Sequence, residues 1–255
     1  MPEFRSGDLT LFYIDEAPVG SDRQAPILLI HGFASNHAVN WVNTGWVEAL
    51  RRDGRRVVAL DNRGHGRSDK PRRPEQYHTD LLAQDALALL DHLGLAQADL
   101  MGYSMGARIT AFLAAAHPDR VRSALLGGLG IHLVEGAGLP HSIAEALEAP
   151  SLEAVTGAMP RMFRRFAEAT GGDLLALAAC IRGSRQSATP EQIARITAPV
   201  LVSVGTRDDI AGDPHALADL LPRGRALDIP DRDHNLAVGD KVHKAGALAF
   251  LAERP

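Results

Sequence analysis

Short apolar runs, each stopped by glycine, proline or aspartate, recur along the chain. Leu9–Ile14 alternates around β-favouring residues, the pattern of an antiparallel edge strand. Ile27–Ile30 ends at His31-Gly32, Val57–Leu60 at Asp61, and Ala98–Met101 leads into Gly102. Val121–Leu126 leads into Gly127-Gly128, Val200–Val204 into Gly205, and Ala226–Ile229 ends at Pro230. Continuous rather than alternating apolarity predicts strands buried on both faces, as in a parallel sheet.

Helical patterns lie between these runs. Leu82, Ala86, Leu89, Leu90 and Leu93 follow the helical repeat, with Gly94 as the stop. Met105–Ala116 predicts a helix ended by His117-Pro118, and Ala245–Leu251 a terminal one. The alternation predicts βαβ units and a mostly parallel α/β sheet covered by helices on both faces. Residues 131–197 break it, with helical stripes (Met159, Met162, Phe163, Phe166; Leu174, Leu177, Ala178, Ile181) but no strand. Core packing accounts for any single residue of such stripes. The whole stretch, however, follows a strand at the sheet end where open α/β folds bind ligands. The expected organisation is a core of residues 1–130 and 198–255, with a helical lid insertion over 131–197.

The chain has 255 residues, enough for one large domain. Its composition, 45% hydrophobic and 23% charged, excludes disordered, collagenous and coiled-coil classes. A net charge of −4 provides no basic field for nucleic acid. Runs such as Ile109–Ala116 fall far short of the roughly 20 residues of a membrane span. The polar start, Met1 to Asp8, lacks an apolar leader core, and Cys180 has no second cysteine to pair with. Both point to a cytoplasmic protein. No H-E-x-x-H or paired C-x-x-C is present, and Gly127-Gly128-Leu129-Gly130 lacks the dinucleotide fingerprint, so neither metal nor cofactor is expected.

Gly102-Tyr103-Ser104-Met105-Gly106 matches G-x-S-x-G between an apolar strand and an Ala-rich helix, the context that motif needs. A sharp strand-to-helix turn exposes the hydroxyl over a helix N-terminus, where negative charge is favoured. The alternative is an N-cap serine on an ordinary turn. With His31-Gly32-Phe33 and Asp61-Asn62-Arg63-Gly64-His65-Gly66-Arg67-Ser68-Asp69, the chain resembles the α/β-hydrolase superfamily over nearly its whole length. The resemblance is to the lid-bearing branch of esterases, C–C bond hydrolases and perhydrolases, and implies an eight-stranded sheet. Dehalogenases and epoxide hydrolases of that fold carry aspartate where Ser104 stands.

The resemblance also implies the partners of Ser104. A serine hydroxyl needs a positioned base. Of eleven histidines, His234 follows the last strand by the short turn Pro230–Asp233, where the family places its base. The family usually has glycine before that histidine; here it is Asp233, a candidate for raising the imidazole pKa. The G-x-x-D spacing after the strand Val200–Val204 selects Asp208 as the acid, with Asp209 as the adjacent alternative and Glu135, after the sixth strand, as a remote one. Asp213 before Pro214 reads as an N-cap. His31 reads as structural, His65 as a loop residue, His117 as a helix end, and His243 as solvated on the terminal helix. The oxyanion donors implied are the backbone N–H groups of Phe33 and Met105. The Phe33 side chain reads equally as pocket wall or core, and Asn36, Trp41 and Trp46 stay open between the two.

These residues predict a serine hydrolase that cleaves a carboxylic ester of a small or medium apolar acyl group through an acyl-enzyme. An alcohol in place of water would give transacylation. The alternatives are C–C bond hydrolysis of a diketone acid, with Arg161, Arg164, Arg165 or Arg182 as carboxylate clamp, perhydrolase or haloperoxidase chemistry, and a non-catalytic receptor of the same fold. The expected partner is a small-molecule ester.

Overall fold

The computed structural model describes residues 2–20, 24–136 and 139–253. Eight strands form one sheet: β1 (Glu3–Ser6), β2 (Leu9–Glu16), β3 (Ile27–Ile30), β4 (Val57–Leu60), β5 (Ala98–Tyr103), β6 (Val121–Gly127), β7 (Val200–Gly205) and β8 (Gly224–Ile229). Their order is β1-β2-β4-β3-β5-β6-β7-β8. β1 and β2 are antiparallel, β2 runs antiparallel to β4, and the rest pair in parallel. Leu9–Ile14 is thus the second strand rather than the edge. The edge is β1, which buries only Phe4 and Ser6 and is too short to show a period.

Alternation along the central strands divides the core into two layers. Leu28, Ile30, Val58, Leu60, Leu100, Val200 and Val202 face one apolar cluster. It is closed by α2 (Thr79–His92), α3 (Met105–Ala116) and α9 (Pro214–Leu220). Ile27, Leu29, Val57, Ala59, Met101 and Leu201 face the other, closed by α1 (Trp46–Arg52) and α10 (Lys241–Ala252). Trp41 and Trp46 are fully buried in the second layer, their rings 6.4 Å apart edge to face, which assigns both to the core.

Between β6 and β7 run α4 (His132–Glu135), α5 (Ser142–Glu148), α6 (Ala158–Ala169), α7 (Leu174–Gly183) and α8 (Pro190–Ala194), with no strand among the described residues. Side-chain bonds hold this segment to the core. Thr79 Oγ1 donates to Gln186 Oε1 at 2.7 Å, Thr170 Oγ1 to the Ala34 carbonyl at 2.8 Å, and Arg72 pairs with Asp173 at 2.8 Å. No described helix is long and apolar enough to cross a membrane.

Two buried charge networks pin the sheet. Arg55, fully buried, pairs with Asp99 and with Asp53, each at 2.8 Å, and donates to the Leu251 carbonyl at 3.3 Å. Ser123 donates to the other oxygen of Asp99 at 2.7 Å. Arg63 forks onto both oxygens of Asp85, which also accepts from Ser6 and so anchors β1. Removing one partner of a buried pair strands the other charge. Arg55→Leu is therefore expected to lower unfolding free energy by about 3–5 kcal/mol in urea titrations, with Asp99→Asn recovering part of the loss.

Candidate active site

Ser104 sits between β5 and α3 with φ +56° and ψ −114°, in the left-handed half of conformational space that side chains disfavour. Two glycines permit the turn. A Cβ on Gly102 would lie 2.1 Å from the Gly106 carbonyl oxygen, and one on Gly106 would lie 1.9 Å from that of Ile30. The turn therefore packs against the end of β3, where His31-Gly32-Phe33 begins. Met105 is the first residue of α3, so its N–H has no partner within the helix.

The loops after β7 and β8 meet Ser104 from the other side. His234 Nε2 lies 2.9 Å from Ser104 Oγ, and its Nδ1 lies 2.7 Å from Asp208 Oδ2. The Asp208 side chain is fully buried; its other oxygen accepts from the N–H groups of Ile210 at 2.9 Å and Ala211 at 3.1 Å. With three donors turned to it, the carboxylate has one orientation and the ring it faces has one tautomer. The two loops are stitched by backbone: Thr206 N–H to the Ile229 carbonyl and Arg207 N–H to that of Arg232, both at 3.0 Å. Tyr103, beside Ser104, donates its hydroxyl to the His234 carbonyl at 2.6 Å. Burial raises that phenol well above its ordinary pKa, so it stays a donor.

The other sequence candidates fall elsewhere. Asp209 is exposed, and so is Glu135. Asp233 uses its carboxylate to cap the N–H groups of Asn235 and Leu236; the carboxylate that meets the ring belongs to Asp208. Asp213 caps α9. Asn36 accepts from the Val39 N–H at 2.9 Å in its own turn. His117 is the C-cap of α3.

His31 is fully buried; one ring nitrogen lies 2.8 Å from the Gly32 carbonyl and the other accepts from the Asn62 N–H at 3.1 Å. His243 departs from its expected solvated place. It is fully buried, with Nε2 2.9 Å from Ser203 Oγ and its ring 5.0 Å from that of Trp46. The residues that bury it come from other elements, so the local helical pattern did not show them.

A cavity of about 370 Å³ opens beside Ser104 and His234. Gly32, Phe33 and Asn40 line the β3 side, and Met162, Phe163 and Phe166 of α6 the opposite wall. Phe33 is thus a wall residue, its ring 6.0 Å from Phe163. Asn40, not singled out by sequence, accepts from the Gly32 N–H at 3.0 Å and so holds the loop that carries Phe33. A second recess of about 70 Å³ shares Ser104 and Phe33 with the first and continues to Arg108 and Arg185. Arg161, Arg164 and Arg182 are bonded to carbonyls or glutamates within the segment itself, and Arg165 is exposed. None of the four lines either space.

The alpha/beta hydrolase fold family matches residues 25–179, more than half of the sequence. The chain belongs to that family. This α/β hydrolase is similar to the 2-hydroxymuconate semialdehyde hydrolase of Pseudomonas sp. strain CF600, 37% identical over 49% of this chain and 41% of the relative. It spans less than two thirds of the curated relatives it matches. A hydrolase from Pseudomonas aeruginosa PA01 superposes with TM-score 0.79 at 22% identity, covering 98% of this chain and 97% of the other. The enol-lactonase from Burkholderia xenovorans LB400 does so at 0.76 and 21%, covering 99% and 98%. At these identities the two structures share the fold.

Burial fixes the charge state of histidines around this site. It holds His65 down to about 3 and His243 to about 4, while an unfolded histidine titrates near 6.5. Between those values the unfolded chain takes up protons that the folded chain refuses. Stability is therefore full above pH ~6.5 and falls as pH drops towards 4. Urea titrations are expected to lose about 1.4 kcal/mol per pH unit for each such histidine near pH 5, with a shallower slope in His243→Asn.

Proposed function

We propose that this α/β hydrolase is a serine hydrolase that cleaves carboxylic esters of a small or medium apolar acyl group through an acyl-enzyme. The observation that carries the reading is the relay from Asp208 through His234 to Ser104, at 2.7 and 2.9 Å, opening onto an apolar cavity of about 370 Å³.

In this reading His234 Nε2 takes the Ser104 proton as Oγ attacks the ester carbonyl. The oxyanion is held by the backbone N–H groups of Phe33 and Met105, each such donor being worth ~3–4 kcal/mol. Collapse breaks the ester bond, and the departing alkoxide takes the proton from His234. Water then gives its proton to His234 and attacks the acyl carbon. The acid leaves, and Ser104 regains its proton. Asp208 holds the ring and stabilises imidazolium as it forms. The helices of residues 131–197 act as a lid: α6 supplies Met162, Phe163 and Phe166 to the cavity and narrows access for water. With water restricted, an alcohol acceptor would give ester exchange.

C–C bond hydrolysis by the same relay is the second reading, favoured by the 37% identity to a relative named for a semialdehyde hydrolase. A panel of p-nitrophenyl esters of graded acyl length, run beside one diketone acid, separates the two. Ester turnover that peaks at short or medium chains is expected; cleavage of the diketone acid alone would overturn the ester reading. Ser104→Ala is expected to lose about 10⁴–10⁶ in kcat and Asp208→Asn less. Asp209→Asn is expected to stay within a few-fold of wild type; a collapse there instead would overturn the assignment of the acid.

A further inference from the structure

The recess beyond Ser104 is lined by two arginines, Arg108 and Arg185, and by no aspartate or glutamate. Arg108 stands on α3, four residues after Ser104, and is the one charged side chain of that helix. It is 8% exposed. Its Nη1 donates to the Gln186 carbonyl at 2.6 Å, and Nη2 approaches that of His132 at 3.4 Å. Arg185 donates to the Leu139 carbonyl. No described carboxylate pairs with either arginine or lines the recess. Burial, and then the charge of Arg185, pulls the Arg108 guanidinium down to about 10. Every other buried arginine network described above contains an acid: Asp99 for Arg55, Asp85 for Arg63, Glu168 for Arg164. Two cations left facing a space without an anion are under mutual repulsion, which an incoming anion relieves.

The space is small. A single water needs about 10–15 Å³, so about 70 Å³ admits a carboxylate on a short stem and little more. Because the recess and the large cavity share Ser104 and Phe33, one molecule bound across Ser104 reaches both. We infer that Arg108 and Arg185 form a carboxylate subsite, and that the substrate carries a carboxylate on the far side of its scissile bond from its apolar group. The inference rests on the proposed role of Ser104 and narrows the substrate. With the apolar acyl group in the large cavity, the carboxylate lies on the alcohol half. The substrate class is an ester of a short hydroxy acid. Guanidinium forks suit this task because they meet carboxylates with paired hydrogen bonds.

Binding and turnover test it separately. Calorimetric titration of the full chain with succinate, and with its neutral counterpart succinamide, reads the recess without chemistry. Succinate is expected to bind at least about ten-fold tighter, and Arg185→Gln to abolish the difference. In turnover, the butyrate ester of glycolate is expected to exceed propyl butyrate in kcat/KM by a similar factor, with the advantage lost in Arg185→Gln. Arg108→Lys, which keeps the charge but not the fork, is the second variant and is expected to weaken succinate more than succinamide. Equal binding of the two ligands by the wild type overturns the subsite. So does a preference that survives both substitutions in proteins folded by circular dichroism. Succinate preference that depends on Arg185, without cleavage of either ester, supports the subsite and instead sinks the ester reading of the site.

Discussion

Gly106 approaches the end of β3 so closely that a Cβ there would lie 1.9 Å from the Ile30 carbonyl oxygen. That backbone contact sets the first turn of α3 against the loop that begins at His31. Phe33 and Met105 line one recess beside Ser104. Ser104, at the head of that helix, has a positive φ and its hydroxyl meets His234 Nε2 at 2.9 Å. The same device recurs across the sheet, where a Cβ on Gly205 would lie 2.1 Å from the Arg232 carbonyl. There it presses the turn bearing Asp208 against the turn bearing His234. Backbone close approach, permitted only by glycine, brings the four loops after β3, β5, β7 and β8 to one site.

The strain at Ser104 is supported by the layers beneath it. β3, β5 and β7 are buried on both faces, and Arg55, just before β4, Asp99 on β5 and Ser123 on β6 tie together the ends of those strands opposite Ser104. Tyr103 joins scaffold to chemistry: its ring fills the space left by Gly127 and Gly128, and its hydroxyl holds the His234 carbonyl. The two side chains at the turn thus serve opposite ends of one arrangement, Ser104 outward and Tyr103 inward. The helical segment between β6 and β7 reaches the same point from above, through α6 and through Thr170 on the Ala34 carbonyl.

What the residues revealed in advance was what is encoded locally. The buried strands show as unbroken apolar runs, Met105–Ala116 as a helix stopped by proline, and the Ser104 turn as five adjacent residues. The choice between Asp208 and Asp209 is not local; it took family spacing to favour one, and the structure turns that one inward and leaves the other in solvent. β1 escaped because four residues with two buried positions carry no period. His243 escaped because Trp46 and Ser203, which enclose it, lie on other elements. Arg108 did carry a signal: it is the only charged residue of α3, four residues beyond the serine. Its partner Arg185 is known only through tertiary contact.

Under the proposed function, Ser104 Oγ is a nucleophile because His234 takes its proton. Fluorophosphonate labelling followed by peptide mapping tests this most directly. The account predicts one adduct, on Ser104, formed by the wild type and absent from His234→Ala. An unmodified Ser104, or labelling that proceeds equally without His234, would contradict it.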